Sequence, residues 1–248
     1  MVAMIKDDGF YGCIKLKTIK LPDGLVSIGS NAFSGCKALI SVEIPETVTY
    51  IGVGAFSDCS MLSQVKLPES LKTIEAETFS GCKKLAEIAI PEGITAVKEN
   101  AFQNCTALEK ILLPNQVTDI YAGAFHNCSK LKTVVLSDSL EYIGYAAFEN
   151  CKDLQTLKIP KSVTTIKASA FSGCNKLKMT IPKTVTAIGG YDYKTAELAP
   201  FYQVKDAVYK GTSSGAVKSA ISPYSSKITK HSITLKWTKF TKASAYKV

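Results

Sequence analysis

The apolar positions of this chain recur with a single period. Phenylalanine stands at Phe10, Phe33, Phe56, Phe79, Phe102, Phe125, Phe148 and Phe171, and a cysteine follows three residues after each, from Cys13 to Cys174, always 23 residues apart. Leucine comes three residues later again, from Leu16 through Leu39 and Leu108 to Leu177. Two apolar residues spaced by two then follow, as in Val42 and Ile44 or Ile111 and Leu113. Proline closes that pair at Pro22, Pro45, Pro68, Pro91, Pro114 and Pro160, with Ser137 replacing it once. A V-x-x-I element such as Val48 and Ile51 leads back to the next Phe. A period this strict identifies stacked structural repeats.

Each position has a physical role. Alternate apolar residues predict a short strand with one face inward. The proline ends it, because it has no amide hydrogen for a continuing ladder. The residue before each cysteine is always Gly, Asn or Asp, the types that tolerate positive φ, which predicts a left-handed turn in every coil. A single coil cannot bury its apolar face, but stacked coils share a continuous core. The expected fold is a repeat solenoid, mainly β with short turns and helical pieces. It comprises eight 23-residue coils and a C-terminal cap, with a strand ladder of roughly 40 Å at about 4.8 Å per strand. The last coil slips by one residue, with Met179, Ile181 and Pro182 after Leu177.

Residues 44–65, IPETVTYIGVGAFSDCSMLSQV, carry a resemblance to a known family. They match the BspA-like leucine-rich repeat, I-P-x-x-V-x-x-I-G-x-x-A-F-x-x-C-x-x-L-x-x-V, and the likeness extends over roughly residues 9–189. The resemblance implies a leucine-rich-repeat solenoid from a secreted or cell-surface protein of bacterial type, with adhesion to host matrix proteins among the roles of its relatives.

After Gly189 the phase is lost. Val204–Gly211 alternates like a strand and Ser213–Ile221 reads as a short helix. A cap is physically required there, since an open last coil exposes an apolar edge. Pro223–His231 reads as a linker. Ser232–Val248, SITLKWTKFTKASAYKV, resembles the first strands of a fibronectin type III domain, with Ile233, Leu235 and Trp237 at period two. A whole sandwich needs about 100 residues, so the chain is expected to stop inside that domain. The expected division is solenoid over 1–190, cap over 191–224, and linker with the truncated fibronectin-like start over 225–248.

Composition narrows the function. The net charge of +9 lies wholly in residues 178–248, which hold 12 lysines and 3 acids, while residues 1–177 hold 18 of each. There is no arginine, the side chain that reads guanine and clamps phosphate, so sequence-specific nucleic-acid binding is not expected. No apolar run is long enough to span a bilayer, and the first ten residues do not form a signal peptide. One cysteine per coil predicts a buried ladder of reduced, structural thiols. With no C-x-x-C pair and only His126 and His231, no metal and no cofactor are expected. His126 reads as a solvated turn residue. No nucleophile, base or phosphate-loop motif occurs, so the chain is not expected to be an enzyme.

Binding chemistry is therefore sought on the outward strand positions. Where Val134 and Leu136 point inward, Val135 points out. That column holds Lys20, Glu43, Lys66, Ala89, Leu112, Val135 and Lys158. Ala89, Leu112 and Val135, framed by Lys66 and Lys158, form the candidate binding patch for a protein or glycoprotein ligand, host extracellular matrix included. Tyr50, Tyr121, Tyr142 and Tyr145 make a weaker second cluster. The competing expectation is an inert stalk that presents other domains.

Overall fold

The structure, a computed structural model, describes residues 3–189 and the backbone of three further strands at 206–209, 225–228 and 233–235. It is a parallel β-solenoid of about eight turns. Most coils contain two short strands, and each has one turn-rich corner, so three columns run along the stack.

The first column carries the strands that precede each proline. Ser41–Glu43 pairs in parallel with Gln64–Lys66, Lys110–Leu112 with Thr133–Val135, and Thr156–Lys158 with Lys178–Ile181. This column is interrupted: Glu87–Ala89 forms no strand. Glutamate and alanine are weak strand formers, and here they occupy both outward positions. The second column is built from the V-x-x-I elements. Met4–Ile5, Ser27–Ile28 and Tyr50–Ile51 form one sheet, and six two-residue strands from Thr73–Ile74 to Ala187–Ile188 form the other.

The third column, the Phe–Cys corner, runs unbroken. The Phe33 amide donates to the Ala55 carbonyl, Phe56 to Thr78 and Phe79 to Ala101, at 2.8–2.9 Å, and the register continues to Phe148 and Ala170. Neighbouring phenylalanine rings stack with centroids 5.0–5.8 Å apart. From Phe33 onward the rings are fully buried. The expected left-handed residue is present before every cysteine, from Gly12 (φ 67) through Asn104 (φ 60) to Gly173 (φ 74). A second left-handed residue stands four positions earlier in each coil, among them Asn31, Glu77, Ala146 and Ser169. Two such residues per corner break any helix. The corner is accordingly a run of successive hydrogen-bonded turns.

All eight cysteines are free, and all but Cys13 are buried. Each buried thiol points at the preceding coil and donates to the carbonyl of its Phe, as Cys105 does to Phe79 at 3.1 Å. The thiol is thus a hydrogen-bond donor between coils as well as an apolar filler. Burial pushes the Cys59 and Cys105 thiols up to about 12. Ser137 repairs the missing proline: its hydroxyl donates to the Asn115 carbonyl (3.1 Å) and accepts from the Ser139 amide (3.0 Å).

Asp206–Tyr209 pairs in parallel with Lys178–Ile181, and Ile233–Leu235 joins it antiparallel. Ser225–Ile228 is a strand within the stretch that reads as a linker, because its backbone groups find partners on Ile233–Leu235. The helix expected over 213–221, and the fibronectin-like segment apart from 233–235, lie outside the described residues.

Candidate binding face

The outward residues of the first column form an open face. The local cause is the strand alternation itself: Val134 and Ile111 are buried, while Val135 and Leu112 between the same neighbours are exposed. Parallel pairing sets Val135 directly beside Leu112. Ala89 is exposed in the unpaired segment next to them. Lys66 is exposed on a two-stranded sheet to one side and Lys158 on a five-stranded sheet to the other. The structure therefore joins Leu112 and Val135 in one sheet, but not all five residues in a continuous one.

An open groove of ≈ 890 Å³ runs past the unpaired Glu87–Ala89, lined by Lys66, Glu87, Ala89, Glu92, Lys110 and Leu112 among others. A second groove of ≈ 960 Å³ lies near the other end of the face, with Asp138, Lys158, Lys161 and Lys178 around its rim.

The residue after each strand-ending proline also lines this face, and reading the outward strand column alone misses it. Along the stack it is Asp23, Glu46, Glu69, Glu92, Asn115, Asp138, Lys161 and Lys183. The glutamates are organised by the backbone. Glu46 Oε2 accepts from the Glu69 amide at 3.0 Å, and Glu69 Oε2 accepts from the Glu92 amide at 3.4 Å. Lys66 Nζ lies 3.5 Å from both Glu43 and Glu46. The face thus runs from acidic through apolar to basic. The signal was available in the period-23 register as a change of sign after the proline.

The tyrosine cluster is smaller than its sequence membership. The Tyr121 and Tyr142 rings lie 6.2 Å apart, and Lys98 Nζ sits 4.4 Å from the Tyr121 centroid. Burial, then the neighbouring Tyr121, raises the Tyr142 hydroxyl above its ordinary value. Tyr50 and Tyr145 are exposed.

His126 is not the solvated turn residue the sequence implies. Its Nδ1 lies 3.0 Å from Gln103 Nε2 and its Nε2 lies 3.6 Å from Glu149 Oε2, with three quarters of both acid and imidazole side chains covered. The stacked corners cause this, because they place residues 23 apart side by side. Burial raises the Glu149 carboxyl, and His126 opposes the rise. Among the described residues no group of three or more His, Cys, Asp or Glu side chains is placed to hold a metal, and no helix is long and apolar enough to cross a membrane.

The family model described as BspA type leucine-rich repeat region matches residues 1–109 and 72–199, in six copies. Among solved structures, the leucine-rich repeat protein of T. pallidum is similar at a TM-score of 0.54 and 23% identity, over 81% of this chain and 82% of that one. The pneumococcal vaccine antigen PcpA is similar at 0.53 and 25% identity, over 85% of this chain and 60% of that one. A leucine-rich cell surface protein from Faecalibacterium prausnitzii A2-165 aligns at 0.48 and 25% identity, over 89% and 79% of the two chains. No curated protein matches the chain.

Proposed function

The chain belongs to the BspA-type leucine-rich repeat family, and from that premise we propose that it is a non-catalytic protein-binding or adhesion module of a bacterial surface or secreted protein. The observation that carries the reading is the exposed pair Leu112 and Val135, in register on the open face and bordered by charged grooves. Apolar centres with charged rims are how protein interfaces divide affinity from specificity. Lys66, Ala89, Leu112, Val135 and Lys158 are the proposed contact residues, and the ligand is a protein or glycoprotein, with host matrix included. The surface or secreted location rests on the family and on the likeness to a vaccine antigen. In the same reading, residues 191–224 cap the stack and 225–248 comprise a linker and a fibronectin-like segment.

The test is binding of the chain to immobilised matrix proteins and mucin, beside a Leu112→Lys/Val135→Lys variant of equal thermal stability. Saturable binding that the variant loses is the expected result. Binding that survives the variant moves the site off this face. Absence of binding to every surface favours the inert stalk.

A further inference from the structure

The charge on the open face is arranged in rows, one per coil, and the rows are complementary to their own reverse. The row of Leu112 adds Lys110 and Asn115, formally +1; the row of Val135 adds Thr133 and Asp138, formally −1. One step outward on one side lie Glu87, Ala89 and Glu92, formally −2. One step outward on the other lie Thr156, Lys158 and Lys161, formally +2. A further step out, Lys66 is engaged by Glu43 and Glu46, which leaves Glu69 as the free charge. Its counterpart row carries Lys178 and Lys183. All these charged side chains are exposed.

We infer that this face pairs with the same face of a second copy of the chain, about a two-fold axis passing between the Leu112 and Val135 rows. The inference rests on the reading of the face as a binding surface and names its partner. That axis lies along the strands and reverses the order of rows. Leu112 then meets Val135 of the second copy, Glu92 meets its Lys161, and Glu69 meets its Lys183. Across these three pairs of rows each charge lands on a row of opposite sign, with the exposed apolar pair at the centre. A two-fold along the solenoid axis would instead set each row against itself, acid on acid and lysine on lysine, so electrostatics select the reversed arrangement. The long lysine stems suit the opposing groove, since they cover apolar surface while the ammonium reaches a carboxylate. The six overlapping rows at about 4.8 Å and about six residues of width at roughly 3.3 Å give on the order of 600 Å². A standard interface buries about 800 Å² per partner.

The test is sedimentation of the full chain from micromolar to hundreds of micromolar concentration, in low and high salt. A dimer that weakens with salt is expected. Glu92→Lys and Lys161→Glu should each weaken it at least about tenfold, because symmetry counts each change twice. The double variant Glu92→Lys/Lys161→Glu should recover wild-type association. An equimolar mixture of the two single variants should form a heterodimer, seen by native mass spectrometry, since each chain then meets its opposite charge twice. Both residues are exposed, and unchanged thermal unfolding verifies that the variants fold. A chain that stays monomeric throughout, or a dimer indifferent to both reversals, overturns the inference. A monomer that still loses matrix binding in Leu112→Lys/Val135→Lys overturns the self-pairing alone. A charge-reversible dimer with no matrix binding supports the self-pairing and removes the matrix ligand.

Discussion

Leu112 and Val135 occupy the same register position on adjacent parallel strands, and both stand about half exposed, at 46% and 51%. Their inward neighbours Ile111 and Val134 are buried in the same two strands. Replacing the exposed pair with lysine should change stability by less than about 0.5 kcal/mol, the usual range for surface substitutions. Ile111→Ala should cost about 2–5 kcal/mol, the usual range for emptying a buried aliphatic site. Urea denaturation of the two variants tests the contrast.

The thiols make a second contrast. Cys13 is exposed, and the seven that follow are buried and bonded to the carbonyls of the preceding coil. Reactivity requires an accessible thiolate, and burial opposes both access and ionisation. A thiol-reactive dye at pH 8 should modify one cysteine per native chain and all eight in guanidinium. Rapid native modification of several would contradict the closed ladder.

The second left-handed position offers a stabilising change. Glu77 is exposed at φ 57, a conformation that costs most L residues about 1–2 kcal/mol and asparagine less. Glu77→Asn should raise stability by about 0.5–1 kcal/mol, read as a higher thermal midpoint. Gly123 shows the opposite case at φ 64: an added methyl would collide with Asn100 Oδ1 of the preceding coil. Gly123→Ala should therefore lose more than about 1 kcal/mol in the same assay.

Glu149 ties stability to pH. Burial raises its carboxyl above the ordinary value, so the fold favours the protonated form. The acid therefore costs nothing below its unfolded value, and its penalty grows as pH rises through the folded one. Glu149→Gln should be more stable than the parent at pH 7 and equal to it at pH 3. Denaturation midpoints across that range give the curve. A difference that persists at pH 3 would assign the effect to packing.

Much of this molecule was legible in the chain because each coil repeats one local code. Phe, Cys, Leu and the strand pair recur at fixed intervals, so period and residue type alone specify the stack, its core and the left-handed residue before each cysteine. The second left-handed residue was only partly legible: Asp8, Asn31, Gly54, Asn100 and Gly123 are types that tolerate positive φ, whereas at Glu77, Ala146 and Ser169 only the backbone path imposes it. The outward position of Leu112 and Val135 followed from strand alternation. The break at Glu87–Ala89, and the grooves on the same face, did not, because whether neighbouring coils pair depends on the geometry of the whole stack. The same holds for His126 and Glu149, and for the chain of glutamates from Glu46 to Glu92. These contacts join residues 23 apart, and only stacking decides how near such residues come. Local periodicity thus determined what each coil is, while tertiary packing decided which surfaces and charges the coils place side by side.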